Sequence, residues 1–192
     1  LVPKSPSSNN LKLNSSESMS AFANLSTFGL SFLALKSFLL SSSTSFNKFI
    51  CIIPDDEEFT KEYIHSCIDQ ILHNTGKTLS NESIVINLGG IESSWKSHQI
   101  ENDHQFLSNG IVIQNLNIPI ILDQLDKNGI PYHIADDLPL NYSINDIQNV
   151  CFNDIPPSKL SLPMFNQNGI SEFASISDIN NLFTSLTNIF KL

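Results

Sequence analysis

The stretch 116-LNIPIILDQLDKNGIPYHIADD-137 contains a complete passage from helix to strand. Pro119 stands where a first helical turn has no use for a backbone N–H, and Ile121, Leu122 and Leu125 follow at helical spacing. Gly129 then supplies the residue type that most readily ends a helix, and Ile130 to Ala135 reads as a strand. A short helix that hands its chain directly to a strand is the building unit of α/β domains.

Working outward, further units of the same kind emerge. Phe59, Tyr63, Ile64, Cys67, Ile68, Ile71 and Leu72 recur at helical spacing and mark one apolar face. Asp55 to Glu58 precede that helix at the positive end of its dipole, a structural rather than metal-binding role, and Gly76 follows as its C-cap. Phe49 to Ile53, ended by Pro54, suits a buried strand; Ile84 to Leu88 reads as another, stopped by Gly89 and Gly90. Ile91 to Gly110 then reads as a long polar loop. Leu30 to Leu40 is apolar enough for a buried helix, closed by Ser41 to Ser43.

Downstream, Ser143 and Asp146 have capping-box spacing for a brief helix through Val150. Ile155 to Pro163 reads as a proline-rich loop, and Ser175 and Asp178 as caps of a last helix striped by Ile179, Leu182, Phe183, Leu186 and Phe190. Strands alternating with helices predict a three-layer α/β/α sandwich with a mostly parallel sheet. Sites on such folds lie at strand ends, which directs attention to the loops after Leu88, Ala135 and Phe152.

Composition narrows the function classes. With 192 residues, 41% apolar and 15% charged, the chain suffices for one core, expected over residues 21–192 behind a disordered or linker segment, 1–20, rich in Ser, Asn and Pro. Its formal charge is −9 and its ten basic residues are all lysines, so no arginine is present to grip phosphates, and nucleic acid is a poor partner. Cys51, Cys67 and Cys151 are odd in number and lack CxxC spacing, which fits a reducing, cytoplasmic setting without disulfides or structural zinc. Ala21 to Leu40 is interrupted by Asn24, Ser26, Ser31, Lys36 and Ser37, so no membrane span is expected; a signal or anchor segment is the alternative, under which the sequons at Asn24, Asn81 and Asn141 would matter.

Six segments, in order, carry a family resemblance: FGLSFLALKSFL (28–39), FICIIPDDEEFTKEYIHSCIDQI (49–71), SIVINLGG (83–90), the 116–137 stretch, CFNDIPP (151–157) and SISDINNLFTSL (175–186). Together they resemble the pyroglutamyl-peptidase type I (pyrrolidone-carboxylate peptidase) family from about Phe28 to the C-terminus. That resemblance implies a phosphorylase/hydrolase-like sandwich and a cysteine-type omega peptidase that removes N-terminal pyroglutamate from peptides. It further implies homo-oligomers and no cofactor. Counted from Gly129, Ile130 and Pro131, the family's nucleophilic Cys falls on Ser143; its His falls on Asp154, and its Glu on Glu101. A carboxylate with an ordinary pKa of about 3.9 is a poor proton acceptor from a serine hydroxyl, so the resemblance predicts a divergent, catalytically impaired or inactive member.

Each residue also has a plainer reading: Ser143 as an N-cap, Asp154 as a turn residue before Ile-Pro-Pro, Glu101 as a solvated loop carboxylate. An active peptidase with a relocated pair, Cys151 with His133 or His104, is the enzymatic alternative. His98, Glu101, Asp103 and His104 bring metal ligands to mind, but their spacing matches no helix face. Trp95 either lines a pocket or anchors its loop. From another class, a binding or assembly subunit on the same scaffold stands open, since the helix-strand pattern is also loosely similar to the proteasome-assembly chaperones.

Overall fold

The computed structural model describes residues 19–41, 48, 50, 61–78, 83–93, 109–114, 119–134, 158–167 and 169–192. Strand β1 (Met19–Phe22) leads through a π-helical turn (Leu25–Gly29) into α1 (Leu30–Leu40), and α2 spans Lys61–Thr75. Strands β2 (Ile86–Glu92) and β3 (Ile111–Gln114), helix α3 (Pro119–Lys127) and strand β4 (Tyr132–Ile134) follow. Strands β5 (Ser158–Met164) and β6 (Glu172–Ser175) and helix α4 (Ile176–Ile189) complete the order.

The central sheet runs β2-β5-β3-β4, with parallel β2–β5 and β3–β4 pairs and an antiparallel β3–β5 pair, and a separate two-stranded ribbon joins β1 to β6. The mixed, mostly parallel α/β sheet predicted from the sequence is therefore present. Ile111 and Ile113 of β3 and Leu160, Leu162 and Met164 of β5 share one face with Leu182 and Leu186 of α4, Ile121 and Leu125 of α3, and Leu30. Alternation along β3 places Val112 on the opposite face, where it too is fully buried, so the sheet is covered on both sides.

The 116–137 stretch folds as read. Pro119 opens α3, Ile121 and Leu125 are fully buried, and Gly129 takes φ +61° while the Ile130 N–H donates to the Leu125 carbonyl at 3.0 Å. This is a left-handed helix stop followed by a strand. Gly76 ends α2 the same way, with φ +64° and the Lys77 N–H on the Leu72 carbonyl at 2.9 Å.

Three expectations are corrected. The span from Ile155 to Pro163, read as a proline-rich loop, contains from Ser158 onward the central strand β5. The Ser158 N–H donates to Val85 and the Met164 carbonyl accepts from Ser93, so even-numbered residues face β2 and Pro163 turns its missing donor toward β3. The β3 ladder stops at Ser161, so the absent N–H breaks no ladder bond.

Gly89 and Gly90 do not end β2 but lie inside it, and the strand takes in Ile91 and Glu92 of the expected loop. A Cβ on Gly89 would meet Lys159 Cε at 3.4 Å, and one on Gly90 would meet Gln167 Nε2 at 2.9 Å, so these glycines admit neighbouring side chains. Helix α1 forms where expected but is not buried around its circumference, since only Leu30 and Ser37 are fully covered.

Apart from Ile50, the expected strand over 49–53 lies outside the described residues, as do the brief helix over 143–150 and segment 1–18. Among the described residues no helix is long and apolar enough to cross a membrane.

Candidate functional site

Ser143, Asp154 and Glu101, the residues expected to carry chemistry, lie outside the described residues, as do Cys151, His98, Asp103, His104 and Trp95. Of the relocated pair only His133 is placed, half-buried on β4 beside Val112. A different group of polar residues occupies the sheet itself.

On β5 the apolar residues Leu160, Leu162 and Met164 alternate with Lys159, Ser161 and Pro163, so the strand shows an apolar face to α4 and a mixed face to the other side. The register builds two rows on that second face. Asn87, Lys159 and Gln114 form one, and Gly89, Ser161, Val112 and His133 the next. Directly opposed residues in such a ladder hold their Cβ atoms about 5 Å apart, so Lys159 has a carboxamide on each flank.

Burial pushes the Lys159 ammonium below its ordinary pKa of 10.5, because removal from water disfavours the charged form. Ser161 is fully buried and its Oγ has no hydrogen-bond partner. With Ser161 and Val112 fully buried and Gln114 nearly so, the amine, the carboxamides and the hydroxyl form a covered polar layer of the sheet and not an open surface. The sequence signal was the period-two pattern of SKLSLPM, obscured by the prolines at 156, 157 and 163.

Two fully buried carboxylates lie elsewhere, and both tie the backbone together. Glu172 accepts the Ser26 N–H at 2.8 Å and the Ser26 hydroxyl at 2.5 Å, joining β6 to the turn before α1. Asp178, in the first turn of α4, accepts the Gly110 N–H. Ser175 precedes α4 as expected, but its Oγ pairs with Ser177 Oγ at 2.6 Å instead of capping a backbone N–H. Among the described residues no three His, Cys, Asp or Glu side chains converge in a way that could hold a metal ion.

No protein-family model and no curated protein matches the chain. Solved structures do. The M18-family aminopeptidase of Thermotoga maritima superposes with a TM-score of 0.65 at 14% identity, over 91% of this chain and 47% of that one. Aminopeptidase I of Borrelia burgdorferi B31 gives 0.62 at 19% identity, over 84% and 41%. Yeast aminopeptidase 1 gives 0.60 at 9% identity, over 90% and 46%. The chain thus spans less than half the length of the aminopeptidases it matches.

These likenesses overturn the pyroglutamyl-peptidase resemblance, and with it both the impaired omega-peptidase and the thiol-peptidase expectations: the matched structures belong to a different peptidase family. The physical reason lies in the quoted segments. Gly129-Ile130-Pro131, which anchored the count to Ser143, is a left-handed helix stop and a strand entry, a solution open to any α/β domain. Collinear helix and strand signals reported the layer architecture and not the family. What the structural likeness shows is the fold, a mixed α/β sheet domain of the kind found in these aminopeptidases.

Proposed function

We propose that this chain is a peptide-binding domain built on the aminopeptidase scaffold. The observation that carries the reading is the superposition of 84% to 91% of the chain on aminopeptidases. The chain corresponds to under half of each matched enzyme, so the reading concerns what this domain binds. A metallo-aminopeptidase-like fold would call for a metal, and the described residues do not fit one.

Calorimetric titration of trileucine into the chain, with leucine para-nitroanilide turnover measured in parallel with and without added zinc, tests the reading. Saturable trileucine binding without turnover is expected. Absence of saturable binding at millimolar peptide would overturn the proposal, and zinc-dependent turnover would overturn its restriction to binding.

A further inference from the structure

Ser161 lies in the middle of β5 and is fully buried, yet its Oγ meets no hydrogen-bond partner. On the β3 side its direct neighbour is Val112, itself fully buried, whose side chain offers nothing polar. A hydroxyl withdrawn from bulk water and left unpaired is destabilising. Native interiors satisfy such groups, with an ordered water where no side chain reaches.

The β2 side of Ser161 is built differently. Its direct neighbour there is Gly89, so the Ser161 Cβ sits about 5 Å from the position that a Gly89 side chain would take. A Cβ on Gly89 would come within 4 Å of one described heavy atom alone, Lys159 Cε at 3.4 Å. The φ of Gly89 is not positive, so backbone conformation does not call for glycine at this position. Glycine inside a strand otherwise weakens it, and what it provides here is room beside Ser161. Polar residues on the same face border that room: Ser161 across the ladder, Asn87 two residues back along β2, and Lys159, whose stem passes over Gly89. Ile91, two residues further along β2 and buried, closes the other end.

We propose that Gly89 and Ser161 form the seat of a structural water, held by Ser161 Oγ and the Lys159 ammonium. The ligand is a water and not a larger group, because the room is that of about one methyl group and Ser161 and Val112 beside it are fully covered. An ammonium only donates whereas a hydroxyl also accepts, so the water accepts from Lys159 Nζ and donates to Ser161 Oγ. The bridge satisfies the buried hydroxyl of β5 without a polar side chain from β3.

Gly89→Ala tests this on the full chain, because the added methyl group takes the seat of the water while making only ordinary contact with Lys159 Cε. Water-oxygen magnetic relaxation dispersion should count one long-lived water fewer in Gly89→Ala than in the wild type, with far-ultraviolet circular dichroism unchanged. In urea, Gly89→Ala should lower the unfolding midpoint of the wild type, since it strands the Ser161 hydroxyl. The same substitution should raise the midpoint of Ser161→Ala, where no hydroxyl remains to strand and alanine suits a strand better than glycine. An unchanged water count, or a midpoint that rises on Gly89→Ala in both backgrounds, would overturn the proposal.

Discussion

The carboxylate of Asp178 accepts the backbone N–H of Gly110 at 2.9 Å, tying the first turn of α4 to the residue just before β3, 68 positions earlier in the chain. Asp178 is fully buried and stands at the positive end of the α4 dipole, so its charge is stabilised from two directions. Asp178→Ala would strand a buried donor, a loss of about 1–3 kcal/mol. Asp178→Asn keeps an acceptor oxygen and should lose less. Urea midpoints in the order wild type, Asn, Ala are expected; equal midpoints for the two variants would show that the bond to Gly110 does not hold α4 against the sheet.

Gly110 makes a second, separable contribution. Its φ is +108°, and a Cβ there would lie 2.0 Å from the Pro131 carbonyl oxygen. Gly129 also has a positive φ, +61°, but a Cβ there would meet nothing within 4 Å. Gly129→Ala should therefore cost only backbone strain, about 1 kcal/mol. Gly110→Ala adds an overlap with rigid backbone and should cost about 3 kcal/mol or more. Thermal melts of the two variants check the ranking, and similar melting temperatures would contradict the close approach of Gly110 to Pro131.

How much of this was legible in the sequence depended on whether a local rule and the tertiary structure agreed. Helices α2, α3 and α4 were readable because apolar spacing, prolines and glycines all pointed the same way, as at Pro119, Leu125 and Gly129. β5 was not, because Pro163 argues against a strand unless its missing donor faces an unpaired edge, and that depends on where β3 stops. α1 was located correctly but given a buried environment, because apolar density does not say how many sides of a helix find partners. The polar sheet rows were illegible for a related reason: Lys159, Asn87 and Gln114 lie 72 and 45 positions from one another along the chain and meet only through register. For Ser143, Asp154 and Glu101 the motif count had no such geometric anchor.

Ser26 and Glu172 form the other long-range tie. Both the N–H and the hydroxyl of Ser26 donate to the fully buried Glu172 carboxylate. Ser26→Ala removes one of these bonds and Glu172→Gln weakens both by removing the charge, so the two substitutions should not add. A double-mutant cycle on unfolding free energies is expected to give a coupling of about 1–3 kcal/mol. A coupling near zero would mean that the β1–β6 ribbon is held by its backbone ladder and side-chain packing alone.

The polar sheet face predicts a specific pH dependence. Lys159 releases its proton at lower pH when folded than when unfolded, because burial disfavours its ammonium. Below the lowered folded-state value both states are protonated and the folded chain bears the whole desolvation penalty. As pH rises from there toward the unfolded value of about 10.5, the penalty is progressively relieved, so this group makes stability increase with pH across that window. Tyr132 acts in the opposite sense. Partial burial, and then the Asp126 carboxylate that accepts its hydroxyl at 3.1 Å, raise its pKa above 10.0, so its contribution is complete below that value and lost as pH climbs through the folded-state pKa. Comparing the wild type with Lys159→Met cancels Tyr132, since both chains keep it, and methionine preserves most of the apolar stem. The stability of the wild type relative to Lys159→Met, from urea unfolding between about pH 8 and about pH 10.5, should rise with pH. A difference that stays flat across that window would place the Lys159 ammonium in water.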